Sequence, residues 1–480
     1  MHLSSVFHIL GLLTMFLGVT MLAPIPFSLY YGDADWVPIL IAALTTFAAG
    51  FAGFRFHEFR KDLRAKEGFA VVTFGWIIMS LFGSLPFLFS GAIPSLTDAF
   101  FETMSGFTTT GATILQDIEG LPHGVLFWRA MTHWIGGMGI IVLSLAILPF
   151  LGVGGMELFK AEVPGPTADK LTPRITETAK ILWSVYVAIT AIHAVLLMLG
   201  GMTLFEALCH AFATMATGGY STLNASVGGF GSSYINYVII FFMILAGTNF
   251  TLHYRFARGE WDVYFRNKEF RFYMGMIGLA ALIICSNIFF NSEIGFWQAL
   301  EDTLFQVVSI ITTTGYGTAD YEKWPYVSQI IIFFLMFAGG CAGSTSGGIK
   351  IIRLYVLIKF ILDEILHLLH PHAVTRVRIG KTAIERGVVT NILGFFSLFI
   401  LIYTLGVIAM AALGMDLLSA FGAVAATLGN IGPGLGSVGP TDNYAHVHEL
   451  GKWVLSLLML MGRLELFTVV ILFSPSFWHK

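Results

Sequence analysis

The sequence predicts an all-α integral membrane protein with about ten transmembrane helices, most of which belong to four repeats of a span, a re-entrant loop and a second span. Two observations support this fold class. The 480 residues are 56% apolar and only 11% charged, whereas about 25% of the residues in a soluble domain are charged. The chain also contains 52 glycines, and many of them lie in stretches that recur four times.

Ten apolar stretches are long enough to cross a bilayer. Each has roughly 18–27 residues, which suffices for a hydrocarbon core about 30 Å thick at about 1.5 Å per residue. The first is not preceded by a basic region, so we expect a retained helix rather than a signal peptide. The predicted spans cover residues 3–24, 37–54, 69–90, 128–151, 178–200, 234–252, 270–290, 325–348, 387–413 and 453–473.

Lysines and arginines indicate how these spans are oriented. Of the 26 Lys and Arg residues, 21 fall in four connections, whereas the alternate connections carry at most one each. Because basic loops remain on the cytoplasmic side of a membrane, these four connections and both termini are predicted to be cytoplasmic. The basic connections lie within residues 55–66, 160–180, 255–271 and 350–386.

The last eight spans form four units of the same design. The aligned glycines Gly111, Gly219, Gly315 and Gly432 follow one another at spacings of 108, 96 and 117 residues. Each unit has two spans, an even number, so the units share one orientation and are parallel repeats with pseudo-fourfold symmetry around one pore. The predicted division is two extra N-terminal helices and a cytoplasmic loop at 1–66, then pore repeats at 67–160, 161–268, 269–370 and 371–480.

Between its two spans, each repeat has a short apolar segment followed by a Thr- and Gly-rich stretch. The segment has about 12 residues, roughly 18 Å as a helix, which is too short to cross the membrane. We therefore expect it to re-enter from the outside. Asp98, Glu206 and Asp302, with Ser419 in the fourth repeat, are predicted to lie in the first turn, where an acid or an N-cap stabilises a helix. The negative ends then converge on the pore and favour a cation there.

The Thr- and Gly-rich stretches are predicted to form a filter lined by backbone carbonyls. Residues 313–317 read Thr-Thr-Gly-Tyr-Gly, which is the TVGYG sequence of K⁺ channels with Thr in place of Val. Tyr220 and Tyr316 are predicted to support the filter from behind. The predicted filter residues, which bind K⁺ through their carbonyls, are Thr108, Thr109, Thr110, Gly111, Thr217, Gly218, Gly219, Tyr220, Thr313, Thr314, Gly315, Tyr316, Asn430, Ile431, Gly432 and Pro433.

With these four stretches, the chain resembles the Trk/Ktr/HKT superfamily of potassium transporters over essentially its whole pore unit. Residues 133–139 (HWIGGMG) and 462–465 (GRLE) resemble further stretches of that family. The two additional N-terminal spans make the chain more similar to the TrkH/TrkG branch than to the shorter Ktr pore subunits. The resemblance implies K⁺ conduction in a bacterial inner membrane, a homodimer, and a cytoplasmic nucleotide-binding regulatory subunit of the TrkA type.

The filter sequences also suggest how selective the pore is. In the HKT branch, a Ser at the first filter glycine goes with Na⁺ permeation, so the resemblance makes Gly111 an indication of K⁺. The fourth stretch has Asn430 and Pro433 where the third has Thr313 and Tyr316. Four unequal walls should select less sharply than four identical ones, and we expect K⁺ and Rb⁺ to be preferred over Na⁺ with modest discrimination.

The second span of the third repeat is interrupted by a run of small residues. Such a run does not hold a stable helix, and irregular backbone at this depth is tolerated only beside a cavity or within protein. We expect a flexible loop that obstructs the pore below the filter, with Lys350 fixing its cytoplasmic end. Small-residue helix packing is the alternative. The loop comprises Gly339, Gly340, Cys341, Ala342, Gly343, Ser344, Thr345, Ser346, Gly347 and Gly348.

Arg463 lies near the centre of the last span, where an arginine costs at least about 2.5 kcal/mol and usually faces a cavity or a partner. Glu465 is not its partner, because residues i and i+2 do not share a helix face. An acid elsewhere, backbone carbonyls and pore water are the remaining possibilities. The hypothesis is that Arg463 belongs to the gate and raises the barrier to cations; a structural ion pair to another helix is the alternative.

The function predicted from the sequence is K⁺ uptake through a gated pore. A symporter coupled to H⁺ or Na⁺ is the alternative, and the main carboxylates available for coupling are Glu102 and Glu465. Arg129 is expected to extend to water at the outer interface. There is no Ser/His/Asp, His-Glu-x-x-His or phosphate-loop signature, so neither an enzyme nor a cofactor in this chain is predicted. Three cysteines and 26 basic against 29 acidic residues argue against a disulfide scaffold and a nucleic-acid partner.

Overall fold

The computed structural model describes residues 2–59, 65–139, 175–371, 377–379, 382–384 and 386–478. Within these ranges the regular secondary structure is helical apart from one short antiparallel hairpin, in which Arg378–Ile379 pairs with Thr382–Ala383. Six helices are long and apolar enough to cross a membrane, or up to eight if each bent pair counts as one span. The second half of the predicted span at 128–151 and most of the basic connection at 160–180 lie outside the described residues.

Two long helices, Leu3–Thr20 and Trp36–Phe56, precede the repeats and are joined through the short helix Ile25–Tyr31. Small residues allow the two backbones to approach closely. A methyl group built on Gly11 or on Gly50 would overlap the main chain of the facing helix. Interfaces between helices in a membrane rely on such small residues, because the hydrophobic effect contributes little there.

The four repeats follow in chain order, each with a first helix, a re-entrant helix and a second helix. The first helices are Ala65–Gly83, Ile175–Leu199, Lys268–Asn291 and Arg386–Ala412. The re-entrant helices are Leu96–Phe107, Leu204–Met215, Phe296–Ile311 and Leu417–Leu428. The second helices begin with His123–Trp134, Ser233–Ala246, Tyr326–Leu335 and Glu449–Arg463. The second helix of the third repeat continues after its interruption as Ile351–Leu369. Short α-helices lie at Leu85–Phe89, Phe250–Ala257, Val263–Arg266, Phe467–Val470 and Pro475–Trp478.

The starts of the re-entrant helices agree only in part with the sequence prediction. Asp98 and Glu206 lie in the first turn, and Glu206 completes a capping box with Thr203. The prediction for Asp302 was wrong, because the third helix begins at Phe296 and places this acid beyond the first turn. Ser419 is not the N-cap of the fourth helix. Asp416 has that position, and its carboxylate accepts from the backbone N–H of Ser419.

The second helices are interrupted in more repeats than the sequence predicted. In the second repeat the chain bends by 101° after Ala246, and in the fourth it bends by 114° after Arg463. The predicted spans at 234–252 and 453–473 are therefore bent pairs of helices, and the sequence did not predict the bends. In the second repeat, the Asn249 side chain caps a new helix by accepting from the N–H of Thr251. In the fourth, Glu465 and Leu466 adopt positive φ angles of 58°, which helical residues do not have.

Candidate ion pore and gate

Four extended strands follow the four re-entrant helices, and they share one backbone conformation. In each strand the residue two positions before the aligned glycine is left-handed although it is not glycine. The φ angles at these positions are 53° at Thr109, 56° at Thr217, 56° at Thr313 and 53° at Asn430. Non-glycine residues rarely adopt this conformation, and it persists only where the surroundings impose it. The aligned glycines Gly111, Gly219, Gly315 and Gly432 have φ of 79°, 81°, 80° and 103°.

The four strands form a closed ring in which each contacts the next in chain order. A methyl group built on an aligned glycine would collide with the carbonyl of the residue that precedes the next aligned glycine. The same contact occurs between every pair of neighbouring strands, and the last contact joins the fourth strand to the first. The four strands therefore surround a single axis. The pairs of glycine and carbonyl are Gly111 with Gly218, Gly219 with Thr314, Gly315 with Ile431, and Gly432 with Thr110.

The hydrogen bonds of the ring leave carbonyl oxygens available. The N–H of the residue before each aligned glycine donates back to its own re-entrant helix over 2.8 Å, to Ser105, Ala213, Ser309 and Ala426 respectively. The carbonyls of these same residues, Thr110, Gly218, Thr314 and Ile431, accept no hydrogen bond from any residue that the structure describes. Buried carbonyls are normally paired, so a ring of free ones matches the need of a dehydrated cation.

Side-chain hydroxyls stabilise the strands, and the fourth strand differs from the others. Thr108 and Thr110 share a hydroxyl–hydroxyl hydrogen bond of 2.8 Å, and Thr312 and Thr314 share an equivalent one of the same length. In the fourth strand, the Asn430 amide donates to the Thr110 hydroxyl over 3.0 Å and to the carbonyl of Met459 over 2.9 Å. Asn430 therefore joins the fourth strand to the first and to the last long helix.

Tyr220 and Tyr316 lie behind the ring and connect neighbouring repeats, as the sequence predicted. The Tyr220 hydroxyl donates to the carbonyl of Glu102 over 2.7 Å. The Tyr316 hydroxyl lies 3.2 Å from the carbonyl of His210 and 3.3 Å from that of Tyr220. His210 occupies in the second re-entrant helix the position that Glu102 occupies in the first, so the two tyrosines repeat one bracing contact.

The fourth strand is braced by residues that the sequence analysis missed. The Tyr321 hydroxyl donates to the carbonyl of Gly434 over 2.6 Å, and the Tyr444 hydroxyl donates to that of Gly432 over 2.8 Å. Glu322, in the same outer connection, accepts from the N–H of Gly436 over 2.6 Å, and partial burial raises the pKa of its carboxyl. Nothing in the local sequence of Tyr321, Glu322 or Tyr444 marks them as contacts of the strand.

The predicted gating loop lies directly beneath the ring. The two ends of the loop lie side by side in the second helix of the third repeat, where Ala338 and Ile349 form a parallel bridge. The Gly347 N–H donates to the hydroxyl of Thr313 in the third filter strand over 2.7 Å. The Thr345 hydroxyl donates over 2.9 Å to the carbonyl of Met215, at the end of the second re-entrant helix. The loop therefore contacts the inner side of the filter.

The loop is also fixed at its base by charged groups. The Lys350 ammonium donates to the carbonyl of Ser346, so Lys350 contacts the loop as the sequence predicted. A Glu269 carboxylate oxygen accepts from the N–H of Ala342 over 2.7 Å and from that of Ile352 over 3.2 Å. Glu269 was missed by the sequence analysis, because it lies at the start of a different helix and nothing in its local sequence distinguishes it.

Arg463 joins the loop to two other repeats. Its guanidinium donates to the carbonyl of Thr345 over 2.7 Å, and to those of Gly136 and Gly137 over 2.8 and 2.9 Å. Backbone carbonyls, one of the possibilities the sequence left open, are therefore among its partners. Glu465 pairs with Arg353 instead. The structure thus brings Arg463, Lys350 and residues 339–348 together beneath the four predicted filter strands.

Removing the carboxylate of Glu269 should loosen the loop. In Glu269→Gln, the acceptor of the N–H groups of Ala342, in the loop, and Ile352, just after it, loses its charge. We expect uptake of ⁸⁶Rb⁺ into liposomes to rise roughly three- to tenfold, because weakening a charge-assisted hydrogen bond by about 1 kcal/mol shifts an equilibrium by roughly that factor. Glu260→Gln is the control, since it removes an exposed acid that pairs with Arg255 in the connection between the second and third repeats. Equal uptake by the two variants would show that Glu269 does not hold the loop.

Comparison with known proteins gives results that agree with this geometry. The family model described as TrkH, cation transport protein, matches residues 39–278 and 293–480. The Trk system potassium uptake protein TrkH of Halomonas elongata is 43% identical over 486 residues, with 100% of both chains covered. TrkG of Escherichia coli is 34% identical, with 100% of this chain and 99% of the relative covered.

A solved structure shows the same fold. The crystal structure of the potassium transporter TrkH from Vibrio parahaemolyticus superposes with a TM-score of 0.90 at 40% sequence identity, and 100% of each chain is covered. Helices of spanning length, bent helix pairs and re-entrant helices are thus assembled as in a known membrane transporter. The chain belongs to the TrkH family of cation transport proteins.

Proposed function

We propose that this protein is a pore for potassium uptake, with a selectivity filter made of the four aligned strands and a gate made of the loop at 339–348. The observation that carries the proposal is the closed ring of four free carbonyls, on Thr110, Gly218, Thr314 and Ile431. The relatives named as potassium uptake proteins support the choice of ion.

K⁺ is the transported ion, and the filter coordinates it through backbone carbonyls that replace its hydration water. The N–H of each of the same four residues donates to a carbonyl of its own re-entrant helix. These hydrogen bonds hold the strands, and with them the free carbonyls, in place. Rb⁺, which is similar in size to K⁺, passes as well. The Asn430 amide makes the fourth wall different from the others, so discrimination against Na⁺ is modest.

The gate restricts flow beneath the filter. Gly347 contacts the third filter strand and Thr345 contacts the end of the second re-entrant helix. Arg463 attaches the loop to the first repeat. A guanidinium below a cation filter also opposes cation entry by charge. Opening requires the loop to move away from these contacts. A homodimeric assembly, cytoplasmic termini in a bacterial inner membrane, and a cytoplasmic nucleotide-binding subunit of the TrkA type that moves the loop complete the proposal.

The two carboxylates that could serve a coupled symporter are both engaged. Glu102 pairs with Arg129 over 2.7 Å, and Glu465 pairs with Arg353. Both carboxylates are therefore engaged in contacts with arginines. This pairing favours an uncoupled pore over a coupled symporter.

Flux through the purified protein tests this function. Liposomes containing the full chain and loaded with KCl should accumulate ⁸⁶Rb⁺, and external K⁺ should block the uptake at lower concentrations than external Na⁺. Protein-free liposomes are the control. Single-channel currents in a planar bilayer then separate a pore from a stoichiometric carrier, which gives none. Equal inhibition by Na⁺ and K⁺ would contradict the proposed filter.

A further inference from the structure

A buried ion pair lies behind the first and second filter strands. Glu102, in the first re-entrant helix, and Arg129, in the second helix of the same repeat, are 1% and 2% exposed. The Arg129 Nε donates to a carboxylate oxygen of Glu102 over 2.7 Å. The expectation that Arg129 extends to water at the outer interface was therefore wrong. A buried pair of this kind carries a large desolvation cost, and its other contacts indicate what it does.

Each member of the pair holds the outer end of a different filter strand. The Glu102 carboxylate accepts from the Thr113 hydroxyl over 2.9 Å and from the N–H of Ile114 over 2.9 Å, just after Gly111 in the first strand. The Arg129 Nη1 donates over 3.0 Å to the carbonyl of Ser221, two residues after Gly219 in the second strand. The ion pair therefore connects the outer ends of the first and second filter strands.

The same helix clamps Tyr220. The Arg129 guanidinium lies 3.5 Å from the centre of the Tyr220 ring, and the His133 ring is stacked 3.9 Å from it at an interplanar angle of 15°. Two groups this close to one ring centre fit only on opposite faces, so Tyr220 is held between residues i and i+4 of the helix. Gly218 makes room for this arrangement, since a methyl group built there would overlap the His133 ring.

Of the four equivalent positions in the re-entrant helices, only that of Glu102 carries a carboxylate. The residues that correspond to Glu102 in the other re-entrant helices, at the spacings of the aligned glycines, are His210, Gln306 and Ala423. The His210 ring bonds the Ser221 hydroxyl over 2.9 Å, and the Gln306 amide donates to the carbonyl of Ala319 over 3.0 Å. In the second and third repeats, hydrogen bonds without a carboxylate therefore take the place of the ion pair. In the fourth repeat, Ala423 has no polar side chain.

We propose that the Glu102–Arg129 pair, with Tyr220 clamped against it, is a positioning element that sets the K⁺ over Na⁺ discrimination of the filter. Charge-assisted hydrogen bonds hold a defined geometry better than neutral ones. With both strand exits fixed, the carbonyls of the first and second walls cannot move inward to coordinate the smaller Na⁺. The inference rests on the proposed filter function and identifies the residues outside the filter that control its selectivity.

The test uses variants that keep a polar side chain at each altered position. Glu102→Gln alone leaves Arg129 as an uncompensated buried charge and can prevent folding, so the double variant Glu102→Gln/Arg129→Gln, in which two amides can still bond each other, is the main test. Arg129→Lys is the second test. Lysine keeps the charge, but it has no planar group that can stack on the Tyr220 ring and donate to the Ser221 carbonyl at the same time. The measurement is the ratio of ⁸⁶Rb⁺ to ²²Na⁺ uptake by purified full-length protein in liposomes.

We expect this ratio to fall about fivefold or more in the double variant and by a smaller factor in Arg129→Lys, since charge-assisted bonds are roughly twice as strong as neutral ones. Asp98→Asn is the matched control. It breaks a second ion pair of the same re-entrant helix, to Lys452 over 2.5 Å at the end away from the filter, and should leave the ratio unchanged. A wild-type ratio in the well-folded double variant, or an equal fall in Asp98→Asn, would overturn the inference. Failure of the proposed function is distinct, because wild-type protein would then show no Rb⁺ preference at all.

Discussion

Gly315→Ala is expected to abolish selective Rb⁺ uptake. The φ angle of Gly315 is 80°, and the new methyl group would overlap the carbonyl of Ile431 in the fourth strand. Left-handed backbone costs an alanine about 1–2 kcal/mol, and each 1.4 kcal/mol corresponds to about tenfold. The overlap adds to this cost, so uptake of ⁸⁶Rb⁺ in liposomes should fall by at least about tenfold and the remaining flux should discriminate poorly against Na⁺.

Gly414 provides a matched control for this substitution. Its φ angle is 96°, also in the left-handed region, but a methyl group built there meets nothing within 4 Å. Gly414→Ala therefore introduces the same kind of backbone strain without a contact to another strand. It should retain Rb⁺ uptake close to that of the wild type. Similar losses in both variants would mean that strain alone, and not the closure of the ring, accounts for the effect.

Arg463→Ala should have the opposite effect and increase flux. The substitution removes hydrogen bonds to the carbonyls of Thr345, Gly136 and Gly137 and a positive charge beneath the filter. A hydrogen bond to a charged group contributes about 1.5–3 kcal/mol, so the closed loop should lose enough stability for Rb⁺ uptake without any partner subunit to rise by about tenfold or more. Equal amounts of reconstituted protein are required for the comparison.

Lys452→Ala is the control for Arg463, because it removes a buried cation from the same helix at its outer end, where Lys452 pairs with Asp98. This variant should not raise uptake. Arg463→Lys should give an intermediate result, since lysine keeps the charge but is a single donor group without the planar fork of arginine. If Arg463→Ala takes up Rb⁺ at the wild-type rate, the gating role of this residue is refuted.

The four strands of the proposed filter could be located from the sequence because their backbone requirements are local. Left-handed backbone and close approach select glycine, and the same register of Thr and Gly occurs four times. The order in which the strands meet is not local. It became evident only from the contact of each aligned glycine with the next strand, which closes at Gly432 and Thr110.

The breaks in the second and fourth repeats could not be found in the same way. The third repeat has a run of glycines, whereas the fourth bends at Glu465 and Leu466, ordinary residues that tertiary contacts hold at positive φ. Glu465 is held there by its pairing with Arg353, 112 positions away in the sequence. The Glu102–Arg129 pair was missed for a related reason, because an arginine near the start of a membrane helix usually extends to water.

Diffraction from crystals grown in RbCl tests the central claim most directly, since Rb⁺ can be located by its anomalous scattering. We expect a Rb⁺ peak on the axis of the filter, surrounded by the carbonyl oxygens of Thr110, Gly218, Thr314 and Ile431, and we expect K⁺ to displace it more readily than Na⁺. Rb⁺ bound elsewhere in the protein, with none inside the ring, would contradict the account.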